Sequence, residues 1–326
     1  MSQLLKNKNF WQNKKVLVCG GSGFIGSFVC ELLLRQGANV TITTLSNNLT
    51  NIIHIKNKIR VIKADLRDIT QTKKVTKKQE IVLNLASKVA GIQYNIGHPV
   101  EMFEDNIEIA KNVLKSSLEN SVERFLVVSS ACVYPRFAKI PTKEDQGFLD
   151  DPEPTNLGYG WAKRVTELLG RFYFEEYGFK VAIARPYNTY GPRDNFDPNL
   201  SHVIPGIIKR AFDNENPLIV WGSGKQTRSF IYVEDLAHGL LETVEKYPVA
   251  DPVNIGSEEE INILNLTKII VRLSGKKIKI KFDRTKPDGQ PRRACDVSRA
   301  KRKIGFVSKI SLEEGLVKTI EWYKHR

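Results

Sequence analysis

Short apolar stretches alternate with longer amphipathic stretches over the first 185 residues of the chain. The short stretches have the length of β-strands, and the longer ones repeat apolar residues at helical spacing. This alternation is typical of a parallel sheet with helices on both faces. Strands are predicted at 16–19, 40–44, 60–64, 81–86, 125–129 and 181–185, and helices at 25–36, 100–120 and 159–177.

The regular alternation ends near residue 185, where prolines interrupt the pattern and shorter mixed elements follow. We therefore predict an α/β fold with a Rossmann-type doubly wound parallel sheet over residues 14–185. A smaller mixed α/β region, 186–326, is predicted to bind mainly the substrate. Within it, a strand at 253–255 and a helix at 234–247 are expected to return to the first sheet, so that about 229–255 belongs with the first domain.

The composition is that of a globular enzyme, with 326 residues of which 41% are hydrophobic. Apolar runs are far shorter than the ~20 residues of a membrane span, so we expect no membrane partner. The first 15 residues are polar and lysine-rich, unlike a signal peptide, which predicts a cytoplasmic location. No metal site is expected, because the spacing of the cysteines indicates reduced thiols at Cys19, Cys30, Cys132 and Cys295.

The formal net charge of +14 raises the question of nucleic-acid binding. The lysines are nevertheless spread along the chain, and the pairs Lys73-Lys74 and Lys77-Lys78 fit one solvated helix face. We therefore expect no nucleic-acid partner. Positive charge also steers small anions toward a protein, so a nucleotide-diphosphate substrate suits this composition.

A glycine-rich turn at residues 20–26 joins the first predicted strand to the first predicted helix. In this context the glycines permit a tight turn and a close approach of the backbone to a ligand. The pyrophosphate of a dinucleotide can then sit on the helix N-terminus, where N–H groups are free. The cofactor contacts predicted in this turn are Gly20, Gly23, Phe24, Ile25 and Gly26.

The end of the second strand indicates which nicotinamide cofactor is preferred. An acidic residue there would bind the ribose hydroxyls and repel a 2′-phosphate, but this chain has Thr44. We therefore predict NADP(H), with NAD(H) open as the alternative because no arginine follows at once. Further along, the predicted cofactor contacts are Asp65, whose alternative role is a loop cap, then Leu66, Leu85, Ala86 and Ser87.

Three residues predict hydride chemistry at a carbonyl group. Ser130 follows the fifth strand, at the sheet edge where ligands of open α/β folds bind. Tyr159 and Lys163 are four residues apart in a predicted helix, so their side chains lie on one face. The lysine charge is expected to lower the tyrosine pKa from its ordinary value of ~10, so that the phenol can exchange a proton with an alcohol.

The order of the glycine turn, Ser130, Tyr159, Lys163 and the segment Arg185-Pro186-Tyr187-Asn188 resembles the extended short-chain dehydrogenase/reductases, from about residue 14 to 323. Within that superfamily the chain is most similar to the GDP-L-fucose synthase family. Its members are NADPH-dependent 3,5-epimerase/4-reductases of a GDP-linked 4-keto-6-deoxy sugar. The segments that carry this resemblance are 86–92, 129–135, 191–196, 201–205, 221–224 and 286–289.

The resemblance implies roles for further side chains. Cys132 and His202 would be the base and the acid of epimerisation, and both residue types suit proton exchange beside a 4-keto group near neutrality. A packed thiol and a helix-start cap are their respective structural alternatives. Cofactor contacts would also come from Lys163, Pro186 and Asn188. The positions similar to nucleotide-sugar contacts are Lys88, Val89, Asn188, Arg210, Trp221, Arg228 and Asp288.

Departures from the family pattern keep other functions open. The segments 227–230 and 252–256 are equally similar to GDP-mannose 3,5-epimerase, a redox-neutral enzyme with retained NAD that has a lysine in place of His202. Ser87 and Tyr187 differ from the usual fucose-synthase residues, which leaves another 6-deoxyhexose or a heptose as the sugar. A plain 4-ketosugar reductase and, more remotely, a non-catalytic dinucleotide- or RNA-binding protein are further alternatives.

The two long predicted helices, 100–120 and 159–177, carry apolar residues on more than one side. One side of each helix must cover the sheet, and the other sides then need a partner. Pairing of both helices across a two-fold axis would give a four-helix bundle. We therefore predict a homodimer.

Overall fold

The computed structural model describes residues 9–198, 200–285 and 290–326. Its centre is a parallel sheet formed by β1 (Lys15–Cys19), β2 (Asn39–Thr44), β3 (Arg60–Lys63), β4 (Ile81–Asn84), β5 (Arg124–Val128), β6 (Lys180–Pro186) and β10 (Pro252–Ile255). The seven strands lie in the order β10-β6-β5-β4-β1-β2-β3. The order reverses between β1 and β4, and such a reversal is where α/β sheets bind ligands.

Side chains of each central strand alternate between two cores, because successive strand residues point to opposite faces. In β1, Val16 and Val18 belong to one buried cluster and Leu17 and Cys19 to the other. The helices that cover the two faces and complete the second region are α1 (Phe24–Arg35), α2 (Ile69–Thr76), α3 (Ile92–Gly97), α4 (Pro99–Glu119), α5 (Leu157–Tyr177), α6 (Val203–Phe212), α7 (Val233–Lys246), α8 (Ile263–Ser274), α9 (Ser298–Ile304) and α10 (Leu312–Lys324).

The remaining strands form two small sheets. One contains β7 (Asn188–Tyr190), β9 (Thr227–Tyr232), β11 (Glu260–Asn262) and β13 (Arg292–Arg293), and β9 pairs with each of the other three. The other pairs β8 (Leu218–Trp221) with β12 (Ile280–Asp283). Four distant parts of the chain therefore meet along β9.

The predicted fold class is confirmed. The first six strands lie within two residues of their predicted bounds, and so do the helices predicted at 25–36, 100–120 and 159–177, which are α1, α4 and α5. β10 pairs with β6, and α7 packs on α1 and β6, whereas β9 lies in one of the small sheets. The division of the chain at residue 185 stays a prediction. Among the described helices, none has the length and apolar character needed to cross a membrane.

Candidate active site

The turn between β1 and α1 has a shape that only glycine allows at two positions. Gly20 has a φ of +75°, and a Cβ there would lie 3.1 Å from the backbone of Ala86. A Cβ at Gly26 would lie 2.3 Å from the carbonyl oxygen of Gly20. Because no side chain caps α1 at Gly23, the N–H groups of its first turn remain available to an anion. These residues fit the pyrophosphate of a dinucleotide.

Thr44 is buried, and its hydroxyl already has protein partners. It accepts a hydrogen bond from Ser22 Oγ and donates one to the carbonyl oxygen of Ser46, both at 2.9 Å. Asp65 accepts from the backbone N–H of Arg67 at 3.0 Å and forms an ion pair with the same residue, as a loop cap would. Leu66 is buried next to it. Cofactor contacts by these residues stay predictions.

The segment after β4 is fixed by one side chain of α4 that the sequence analysis missed. Asn106 accepts from Ser87 Oγ at 2.5 Å and from the Lys88 N–H at 2.9 Å, and it donates to the Lys88 carbonyl oxygen at 3.1 Å. Leu85 and Ala86, which precede this segment, are partly buried. The Lys88 ammonium pairs with the carboxylates of Glu101 and Asp105, whereas Val89 is exposed.

Four of the predicted catalytic residues come together where β5 ends and α5 begins. The Cys132 N–H donates to Ser130 Oγ at 3.1 Å. Lys163 Nζ donates to the Val128 carbonyl oxygen at 2.9 Å and lies 5.4 Å from the ring centroid of Tyr159. The structure thus gathers a hydroxyl, a thiol, a phenol and an amine at the carboxyl edge of the sheet.

The pKa of Tyr159 is raised in this cluster, whereas the sequence predicted that Lys163 would lower it. Burial raises the pKa of Tyr159 well above its ordinary value, the Cys132 charge adds to the rise, and hydrogen bonds with Ser87 and Ser130 offset it only in part. Burial also lowers the pKa of Lys163 to about 8. The lysine therefore does not produce a lowered tyrosine pKa here, because desolvation dominates. A protonated phenol is nevertheless the form that can donate a proton to a carbonyl oxygen during reduction.

A buried ion pair behind the cluster fixes α5 against the sheet. The Arg185 guanidinium donates two hydrogen bonds, at 2.8 and 2.7 Å, to the carboxylate of Glu167, and both side chains are fully buried. Ser129 Oγ donates to the same carboxylate at 2.5 Å. Since Tyr159, Lys163 and Glu167 follow each other at four-residue intervals, one helix face runs from the phenol to this pair.

The predicted acid, His202, belongs to a different element from the other four predicted catalytic residues. It immediately precedes α6, and its side chain is exposed, although desolvation by neighbouring protein atoms lowers its pKa. Within the described residues, no hydrogen bond joins it to Cys132. Its catalytic role, like that of the other site residues, stays a prediction.

The predicted substrate-binding residues lie on the smaller sheets and on α6. The Arg210 guanidinium makes two hydrogen bonds with Glu215, at 2.6 and 2.5 Å. Arg228 donates to two backbone carbonyl oxygens, and Trp221 is half-exposed at the end of β8. The remaining positions are Asn188, which donates to the Ser229 carbonyl oxygen at 2.9 Å, Pro186, which pairs with Ile255 in the sheet, and Asp288, which lies outside the described residues.

Arg293 is a further residue beside the cluster that was not predicted from the sequence. Its Nη2 lies 4.0 Å from the Cys132 sulfur, which is within hydrogen-bonding distance for this atom. The only signal in the sequence is the doubled arginine Arg292-Arg293, and such a pair is commonly a solvated feature.

Comparison with known proteins agrees with this geometry. Residues 16–256 match the NAD dependent epimerase/dehydratase family. The chain belongs to that family. It is 32% identical to GDP-L-fucose synthase 1 of Arabidopsis thaliana, over 96% of this chain and 94% of that protein. It is 31% identical to dTDP-4-dehydro-6-deoxy-D-allose reductase of Streptomyces bikiniensis, over 97% and 98% of the two chains.

Solved structures show the same architecture. The epimerase Mth375 of Methanothermobacter thermautotrophicus has a TM-score of 0.89 and 27% identity, and covers 97% of this chain and 94% of that one. A GDP-L-fucose synthetase of Naegleria fowleri bound to NADP has a TM-score of 0.79 and 25% identity, and covers 96% and 95%. The resemblance to this group of enzymes is thereby confirmed, and the protein is an NAD(P)-dependent enzyme of the epimerase/reductase type.

Proposed function

We propose that the protein is an NADPH-dependent 3,5-epimerase/4-reductase of a nucleotide-linked 4-keto-6-deoxy sugar or heptose, with GDP as the nucleotide. The observation that carries this proposal is the position of the Cys132 thiol among Ser130, Tyr159 and Lys163. A group that can remove a proton from carbon thus lies beside groups that can orient a carbonyl oxygen and donate a proton to it. The relatives named as GDP-L-fucose synthases support the choice of a GDP sugar.

The chemistry follows from the 4-keto group, which acidifies the hydrogens on both neighbouring carbons. Cys132 removes a proton at C3 or C5, and the electron pair of the broken C–H bond passes to the ketone oxygen. His202 returns a proton to the opposite face, which inverts that centre. During reduction Tyr159 gives its proton to the C4 oxygen, which Ser130 orients through a hydrogen bond. When bound, the nicotinamide supplies the hydride to C4.

The proposed cofactor is NADPH rather than NADH. Thr44 and its partner Ser22 are uncharged, so this end of β2 does not repel a 2′-phosphate. NADP binding by the Naegleria fowleri relative supports the same choice. We further propose a cytoplasmic homodimer that binds no nucleic acid.

A plain 4-ketosugar reductase is the second candidate. The observation in its favour is that His202 is exposed and makes no hydrogen bond with Cys132 within the described residues. The relative named as an allose reductase supports this candidate. In that case Cys132 would be a packed thiol, and the Tyr159 proton transfer would be the only one needed.

Solvent deuterium and nicotinamide absorbance separate these functions in one experiment. The substrate is GDP-4-keto-6-deoxy-mannose in deuterated buffer, with NADPH and NADH supplied in parallel. We expect deuterium at C3 and C5 and stoichiometric consumption of NADPH. Cys132→Ser should incorporate little deuterium while reducing slowly, and His202→Asn should likewise lose inversion. Tyr159→Phe should still exchange protons but reduce at least ~10²-fold more slowly.

Tyr177→Phe is the matched control, because the same hydroxyl is removed from an exposed position of the same helix. Reduction without deuterium in the unmodified protein would identify a plain reductase. Deuterium without net NADPH consumption would instead identify a redox-neutral epimerase. Turnover of NADH in preference to NADPH would overturn the cofactor assignment.

A further inference from the structure

Two arginines lie side by side on neighbouring strands, and only the more distant charge of Glu153 offsets that of Arg228 in part. Arg228 in β9 and Arg293 in β13 are register partners, and neither forms an ion pair with any carboxylate in the described ranges. The adjacent Arg292 differs, because its guanidinium makes two hydrogen bonds with Glu260. Burial and then the charge of Arg293 lower the pKa of Arg228 to about 10. Two such cations together favour an anion nearby.

A candidate anion beside Arg293 is the thiolate of Cys132. Arg293 Nη2 lies 4.0 Å from its sulfur. The backbone around this thiol is held on two further sides. The Cys132 N–H donates to Ser130 Oγ, and a Cβ on Gly160 would lie only 2.6 Å from the Cys132 carbonyl oxygen. The backbone that carries the sulfur is thus held in place, and the Arg293 guanidinium on β13 lies beside the sulfur.

We propose that Arg293 is a positioning residue that stabilises Cys132 as a thiolate. Charge-assisted hydrogen bonds to anions are stronger than neutral ones, and arginine keeps its charge at every working pH. Tyr159 and Lys163 also interact electrostatically with Cys132. Tyr159 carries no positive charge, and Lys163 loses its own as the pH rises through about 8. Arg293 therefore provides the one permanent cation among these neighbours.

The use of this thiolate in catalysis rests on the proposed function, whereas its stabilisation by Arg293 does not. A thiolate, and not a thiol, removes a proton from carbon or attacks an alkylating agent. In the first case the sulfur gains the proton that the sugar loses. With iodoacetamide, the sulfur forms a bond to carbon and iodide leaves. Alkylation thus measures the thiolate without any sugar substrate.

The cysteines of the chain suit this measurement. Cys19, Cys30 and Cys295 are buried, and Cys132 is the partly exposed one of the four. Alkylation of the folded protein at pH 7 should therefore label Cys132, and peptide mass spectrometry would verify the site. We expect Arg293→Gln to be alkylated about tenfold more slowly than the unmodified protein. Arg293→Lys, which keeps the charge, should recover most of the rate.

Arg292→Gln is the matched control, since the same change is made one residue away in a guanidinium that pairs with Glu260. It should be alkylated at the rate of the unmodified protein. At pH 10, which is above the ordinary thiol pKa of ~8.5, the deficit of Arg293→Gln should shrink. A thermal melt of each variant shows that it is folded.

Equal rates for Arg293→Gln and the unmodified protein would overturn the inference. So would an equal loss in Arg292→Gln, or a deficit that does not shrink at pH 10, since either would indicate altered structure or access. The outcome of the deuterium experiment is independent of the alkylation result, so the two proposals can be rejected separately. A slow Arg293→Gln together with an unmodified protein that incorporates no deuterium would retain the thiolate role and reject the epimerase function.

Discussion

At the scale of single residues, Lys163 shows what burial does to an amine that is predicted to be catalytic. Its ammonium is buried against the Val128 carbonyl oxygen, and its pKa falls from 10.5 to about 8. Below pH 8 the folded and unfolded states both hold the proton, and the folded state bears the full cost of a buried charge. Between pH 8 and 10.5 the unfolded state alone holds it, so the stability of the folded state rises with pH.

Lys163→Met removes this titration. We expect the stability of the unmodified protein, relative to the variant, to rise by about 2 kcal/mol between pH 8 and pH 9.5, because each pKa unit corresponds to 1.36 kcal/mol. Urea unfolding at the two pH values measures the difference. Lys180→Met, at an exposed position of β6, is the control for removal of a lysine from the surface. A difference for Lys163→Met that stays constant with pH would contradict the lowered pKa.

At the scale of elements, α5 lies unusually close to the turn that follows β5. Gly160 makes this approach possible, because a Cβ there would come within 2.6 Å of the Cys132 carbonyl oxygen and of the Pro152 ring. Gly160 directly follows Tyr159 in the helix. The distance between the phenol and the thiol therefore depends on a residue that has no side chain.

Gly160→Ala should force the helix and the turn apart. We expect a loss of about 1–3 kcal/mol in the free energy of unfolding, which exceeds the gain in helix propensity, together with reduced activity. Gly97→Ala in α3 is the control, since a Cβ there has no neighbour within 4 Å. Thermal and urea unfolding compare the two variants. A Gly160→Ala protein as stable and active as Gly97→Ala would refute the close contact.

The elements also show what the sequence could and could not predict. Strands and helices of the first half follow from apolar spacing, which is a local property. The contact of Arg293 with Cys132 instead joins residues 161 positions apart, through a two-residue strand that has no periodic signal. The same limit applies to Asn106, and to the raised pKa of Tyr159, because burial depends on segments distant in the chain.

At the scale of the whole molecule, α4 and α5 pack on each other and leave apolar side chains in solvent. Val100 of α4 and Phe172 of α5 are more than half exposed. We expect light scattering at micromolar concentration to give twice the 37.0 kDa mass of one chain. Phe172→Glu should give the monomer mass, whereas Val307→Glu, an exposed apolar position of the C-terminal region, should not. A monomeric unmodified protein would exclude this interface.

The fully buried Arg185–Glu167 pair constrains how such a molecule can move. Sliding α5 relative to β6 would separate the two charges in a buried place where water cannot solvate them. Removing one member of such a buried pair costs about 3–5 kcal/mol. We therefore expect the helix that carries Tyr159 and Lys163 to keep its position relative to β6. Any adjustment to a ligand of different shape would therefore involve other elements that carry predicted site residues, such as the segment around Val89, α6 and the β9 sheet. The predicted proton donor, Tyr159, would stay in place while its surroundings adapt.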